Sequence, residues 1–260
     1  MKKVIFQGVS IVILFFATLF VLRQINWIKI FRVQQATEKT EEKLGELFWD
    51  FFSKTEKENK NHFVSQAVDS IVDRVCTAND IERSHIKLHI LNKDEVNAFA
   101  LPDGHLVVYS GLILAAEDQE ELTGVICHEM AHIELNHVMK KLVKELGLSV
   151  LVSMTGGSGG ELARETAKML SSSAFDRKLE KAADLRAVDY MVKAEIDPEG
   201  LANFLYTLSD RDQEAMKYFS WISTHPDSRE RATYIVAYYK KKKEVRNRPV
   251  LSEAGWAKLK

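Results

Sequence analysis

His128 and His132, the ends of the run HEMAH (128–132), lie four residues apart, so on a helix both imidazoles can face one metal ion. Glu129 is rotated away from that direction by one residue. This suits a base acting on water at the metal better than a ligand. Leu122, Val125, Ile126, Met130 and Ile133 supply the apolar side of such a helix. Two histidines do not complete a zinc site, so a third protein ligand must come from elsewhere. Extending the motif along the same helix fails, because Leu135 and Val138 stand where that pattern needs glycine and a third histidine. His137 falls half a turn around a continuous helix from His128, so it is expected to be no ligand but a surface histidine or one that supports a ligand from behind.

The run FDRKLEKAADLRAVDYM (175–191) offers the missing acid. Glu180 is followed by Ala183, small enough for two helices to approach closely, and Asp184 lies one turn beyond Glu180 on the same face. Glu180 can be the third ligand. Asp184 can accept a hydrogen bond from the outer nitrogen of a ligand histidine and fix its tautomer. Arg177, Lys178, Lys181 and Arg186 surround both acids, as they would on a solvated charged face; the histidine pair upstream favours the metal reading. The expectation is one zinc per chain, held by His128, His132 and Glu180, with water in the fourth position and Glu129 as base.

The elements that must position these residues are mostly helical. An amphipathic helix is expected from Phe63 to Val75, a strand over 85–91, and then strand, Pro-Asp-Gly turn, strand and helix entry over 97–114. One long helix over 117–146 would carry HEMAH. TGGSGG (155–160) breaks the chain between the two ligand-bearing helices and is a candidate lid or a plain linker. Further helices are expected near 161–171, 176–194, 198–209 and 226–240. The fold class is therefore α+β, mainly helical, with a small sheet beside the HEMAH helix.

Hydrophobic residues make up 46% and charged residues 28%, enough to bury a core, and the net charge of −1 gives no basic field for nucleic acid. Cys76 and Cys127 form no metal-type cluster and read as small buried residues. Residues 4–22 are an uncharged apolar run; as a helix it covers roughly 28 Å, about one hydrocarbon core. With no small-x-small site before Arg23, it reads as an uncleaved anchor in the lipid bilayer rather than a removed signal, and its flanking charges leave orientation open. The expected organisation is an anchor at 1–33, a charged juxtamembrane spacer at 34–62, the catalytic domain at 63–240 and a basic tail at 241–260. The Leu44–Phe52 patch in the spacer is expected to dock on the domain.

HEMAH, then EKAAD (180–184), then THPDSRER (224–231), resemble the ordered motifs of the membrane-associated zinc endopeptidase family that includes HtpX, BepA, the mitochondrial OMA-type and the CAAX prenyl proteases. NAFALPDGHLVVYSGL resembles the strand ahead of that family's zinc helix, so the likeness covers about 63–240. The resemblance implies a zincin-like fold and a single-anchor member nearest the BepA and OMA branch. It also implies that His225 donates to the oxyanion, supported by Arg231. The strand Asn97, Ala98, Phe99 and Ala100 would bind an extended peptide substrate by main-chain pairing. It departs from the pattern at Glu195, where many relatives have glycine, and in lacking several membrane spans, which argues against a prenylated substrate. The implied function is a membrane-anchored zinc endopeptidase for unfolded or misassembled proteins on the periplasmic side of a bacterial inner membrane. The alternatives are a soluble periplasmic form after signal cleavage, and a zinc-stabilised assembly factor or chaperone without proteolysis.

Overall fold

The computed structural model describes residues 7, 11, 14–16, 18, 33–156, 160–209, 219–242 and 246–260. The chain forms two compact units, Met1–Thr40 and Glu41–Lys260. Among the described residues no helix is long and apolar enough to cross a membrane. The apolar run 4–22 lies mostly outside them, as do residues 157–159 of the Gly/Ser segment and 243–245 of the basic run.

Three strands make the sheet: β1 (Lys87–Leu91), β2 (Ala98–Ala100) and β3 (His105–Tyr109), in the order β1-β3-β2. β1 runs parallel to β3 and β2 antiparallel to it, with Ala98 opposite Val108. The turn between β2 and β3 passes through Asp103 and Gly104, both at positive φ. A Cβ on Gly104 would sit 1.9 Å from the His85 carbonyl oxygen, so only glycine fits. Alternation along buried β3 sends Leu106 and Val108 into one core and Val107 and Tyr109 into another, so the sheet is covered on both faces.

The helices supply both covers. α1 (Val33–Thr55) and α2 (His62–Asn79) precede the sheet, and α3 (Ser110–Ala115) leads from it to α4 (Gln119–Glu134), which carries HEMAH. Then come α5 (His137–Leu146), α6 (Leu148–Met154), α7 (Gly160–Ser172), α8 (Arg177–Lys193), α9 (Glu199–Ser209), α10 (Ser220–Thr224), α11 (Ser228–Tyr239) and α12 (Glu253–Leu259). α4 packs on α8 and α9, with Ala183 fully buried. From Glu41 onward α1 belongs to the domain: Leu44 and Phe48 are fully buried, and the Phe52 ring lies 5.0 Å from that of Phe99.

Two expectations are revised. The long helix at 117–146 is two helices, because the chain turns at Leu135–Asn136 and Asn136 adopts a left-handed backbone (φ 56°) that asparagine tolerates well. Residues 246–260 fold back on the domain instead of trailing as a basic tail. Gln119 exchanges two hydrogen bonds with the Leu251 backbone (3.0 and 2.8 Å), and α12 is capped by Ser252.

Candidate metal centre

α4 and α8 lie side by side, and their facing residues converge. Asp118 caps α4 by accepting from the Glu121 amide at 2.7 Å, fixing the register in which His128 and His132 face α8. His128 stands 2.9 Å from Asp184, Nδ1 to Oδ1. A carboxylate can only accept, so that Nδ1 carries the proton and Nε2 presents a lone pair. His132 presents Nδ1 to Nδ1 of His137 at 3.1 Å. His137 is thus not among the converging ligand atoms but stands behind one: the break at Asn136 starts a new helix there and swings the residue back under His132, buried, not onto the surface. Burial pushes His137 down to about 3 and His132 to about 4, so both are neutral at neutral pH.

The two inner nitrogens, Nε2 of His128 and Nε2 of His132, are 3.0 Å apart. With His128 donating through Nδ1, its lone pair faces this contact. Glu180 Oε1 lies 3.3 Å from His132 Nε2 and 2.9 Å from His225 Nδ1. Ligand atoms of His128, His132, Glu180 and His225 all lie within 4.8 Å of one another, and all four residues are buried. Oε2 of both Glu180 and Glu129 has no hydrogen-bond partner among the described residues, although Arg231 Nη1 lies 2.9 Å from that of Glu180. Converging ring nitrogens and a buried carboxylate suit a divalent cation, and two imidazoles with one carboxylate are a zinc donor set.

The charges around the cluster are compensated. Burial opposes ionisation of Glu180, yet His225 and Arg231 outweigh it and hold the carboxyl well below the usual range. Burial likewise opposes ionisation of Asp184, which Arg231 and His128 overcome. Arg231 Nε donates to Asp184 Oδ2 (2.9 Å), Nη2 to Oδ1 (2.7 Å) and Nη1 to the His225 carbonyl (3.0 Å). The Tyr234 hydroxyl also donates to Asp184. Burial pulls His225 down, but Glu180 and Glu129 raise it to about 9, and the ring bridges the two carboxylates.

Phe175 lies against two rings of the cluster. Its ring centroid lies 4.1 Å from that of His132, and its plane is within 18° of the His225 ring at 6.0 Å. Lys141, lowered to about 8 by burial, holds its Nζ 4.4 Å from the Phe175 ring and donates to the Ser173 carbonyl. A cleft of about 210 Å³ between α8 and the Pro226–Asp227 turn reaches Glu180 and Arg231. Ala98 to Ala100 form the edge strand β2, and Asn97 just before it donates from its side chain to the Ser171 carbonyl at 3.4 Å. The residues that sequence reasoning missed are Trp221, Phe175 and Lys141; Asn136 was the one available signal for the repositioned His137.

A His-Glu-x-x-His helix completed by an acid from its neighbour is the arrangement of a gluzincin-type zinc metallopeptidase. The chain belongs to Peptidase family M48, which it matches over residues 64–238. It is similar to the beta-barrel assembly-enhancing protease of Yersinia pestis (27% identical over 185 residues, 64% of this chain and 37% of that protein). It is also similar to metalloprotease LoiP of Escherichia coli strain K12 (32% over 164 residues, 60% of this chain and 64% of that protein). A third relative is the mitochondrial metalloendopeptidase OMA1 of Schizosaccharomyces pombe (25% over 173 residues, 65% and 51%). The match thus spans between 37% and 64% of these relatives' own length.

Proposed function

We propose that the protein is a membrane-anchored, zinc-dependent endopeptidase acting on extended segments of unfolded or misassembled proteins. The observation that carries this reading is the buried convergence of His128, His132, Glu180 and His225 beside Glu129. Zinc, when held by His128, His132 and Glu180, supplies the Lewis acidity that acidifies water and polarises a peptide carbonyl. The chain's own groups supply the rest. Glu129 takes the proton of the attacking water and returns it to the leaving amine. His225 donates to the developing oxyanion, and Arg231 fixes it through its backbone carbonyl.

Substrate pairs with β2. Asn97 and Leu101 are bonded to Tyr109 and His105 of β3, so the alternation of the ladder turns the backbone groups of Ala98 and Ala100 to the opposite edge. Main-chain pairing there reads extended backbone and tolerates varied side chains, which selects unfolded segments. The apolar run 4–22 supports the bilayer anchor. The assembly-enhancing role named for the Yersinia pestis relative supports quality control in a bacterial envelope, with the domain on the periplasmic side.

The test is digestion of casein by the full chain, with and without chelator, beside Glu129→Gln. Cleavage that needs metal, and a Glu129→Gln protein that keeps zinc but is inert, are expected. A zinc-loaded wild type that cleaves nothing would overturn the reading in favour of an assembly factor or chaperone. One observation favours that second role: His225 stands within the ligand cluster, and structural zinc sites close with four protein ligands.

A further inference from the structure

The two oxygens of the buried Glu129 carboxylate have different surroundings. Oε1 accepts from the indole Nε1–H of Trp221 at 3.0 Å and lies 3.2 Å from Nε2 of His225. Oε2 has no hydrogen-bond partner among the described residues. We propose that Trp221 is a positioning residue for Glu129: its indole clamps Oε1 and leaves Oε2 as the atom that takes the proton. The kinetic consequence rests on the peptidase reading above; the clamp itself does not.

An indole N–H only donates and does not ionise in water, so this bond persists whether Oε2 is bare or protonated. His225 reaches the same oxygen through Nε2 while its Nδ1 lies 2.9 Å from Glu180, so both neighbours converge on Oε1 and neither on Oε2. The terminal torsion of a glutamate is broad and two-fold, so an unclamped carboxylate would exchange its oxygens and blur the direction of the acceptor. Trp221 is itself held. Its backbone N–H donates to the Val96 carbonyl at 3.2 Å, and the ring is fully buried. It meets His128 and Phe204 edge-on at 5.6 and 5.5 Å, and the Arg231 guanidinium lies over it at 5.2 Å.

Trp221→Phe removes the donor and keeps an aromatic ring. The full chain, labelled with ¹⁵N at its four tryptophans, is compared as wild type, Trp221→Phe and Glu129→Gln. The indole signal lost in Trp221→Phe is that of Trp221, and Glu129→Gln is expected to move it upfield as the charged acceptor disappears. On a peptide substrate Trp221→Phe is expected to lower kcat about tenfold or more, with KM within about twofold and zinc content unchanged. An indole signal indifferent to Glu129→Gln overturns the clamp. Full kcat in a zinc-loaded Trp221→Phe protein overturns its role in catalysis, as does a loss of activity that only tracks a loss of zinc. Should wild type cleave nothing, the indole shift still decides the clamp, and the failure falls on the peptidase reading alone.

Discussion

Each inner histidine is held from behind by a different partner: Asp184 for His128, at 2.9 Å, and His137 for His132, at 3.1 Å. Such outer partners fix the tautomer, and their loss commonly weakens metal binding 10–100-fold (roughly). His137→Ala is therefore expected to weaken zinc binding by about that factor, read by titration against a competing chelator. Glu180→Ala, which removes a direct ligand, is expected to lose zinc from the purified protein in elemental analysis; full zinc there would refute the ligand set. HEMAH and EKAAD were legible because i,i+4 spacing on a helix needs no tertiary information. Trp221 and Phe175 were not, since their places over the site come from packing between segments far apart in sequence.

At the scale of elements, the zinc helix is fixed by close crossings. A Cβ added at Gly124 of α4 would meet Leu201 of α9 at 2.7–2.8 Å, including its backbone. Gly124→Ala must push α9 away, and a loss of about 1–3 kcal/mol in stability is expected from chemical denaturation. An unchanged midpoint would mean that the crossing yields without strain. Glu195, at the position where the resemblance implies glycine, follows α8 in the left-handed region at φ 57°. Its side chain pairs with Arg248 at 2.9 Å, and its carbonyl accepts from the Arg248 amide at 2.7 Å. The departure from glycine thus buttresses the folded-back C-terminal segment. Periodicity located most helices, strands and the Pro-Asp-Gly turn. It missed the break at Asn136, because a single left-handed residue leaves the apolar spacing on either side intact. It also missed the return of residues 246–260, because the contacts that hold them, such as Gln119 with Leu251, are remote in sequence.

Across the whole molecule, α1 is fastened to the sheet by an uncharged histidine pair. His89 and His105 share a hydrogen bond of 2.9 Å, and Trp49 stacks on His89 at 3.5 Å. Burial lowers His89 to about 3 and His105 to about 4; Lys87 depresses both further, while Asp103 partly offsets this at His105. The unfolded chain takes up these protons near 6.5, so the pair's contribution is complete above that pH and is lost as pH falls toward 4. Thermal midpoints should drop between pH 7 and 4, less steeply in His89→Phe/His105→Phe; parallel curves would assign the acid sensitivity elsewhere. Phe175, tilted against His132 beside Lys141, carries a different consequence. We predict that a chelator reaches the cluster only when that ring leaves, and not through the cleft beside Glu180. Removal of zinc by a small chelator should therefore reach a ceiling rate that more chelator does not raise, because opening sets the pace. Phe175→Ala should lift the ceiling and shorten the residence time of the metal, which makes one aromatic ring the clock for exchange at the site.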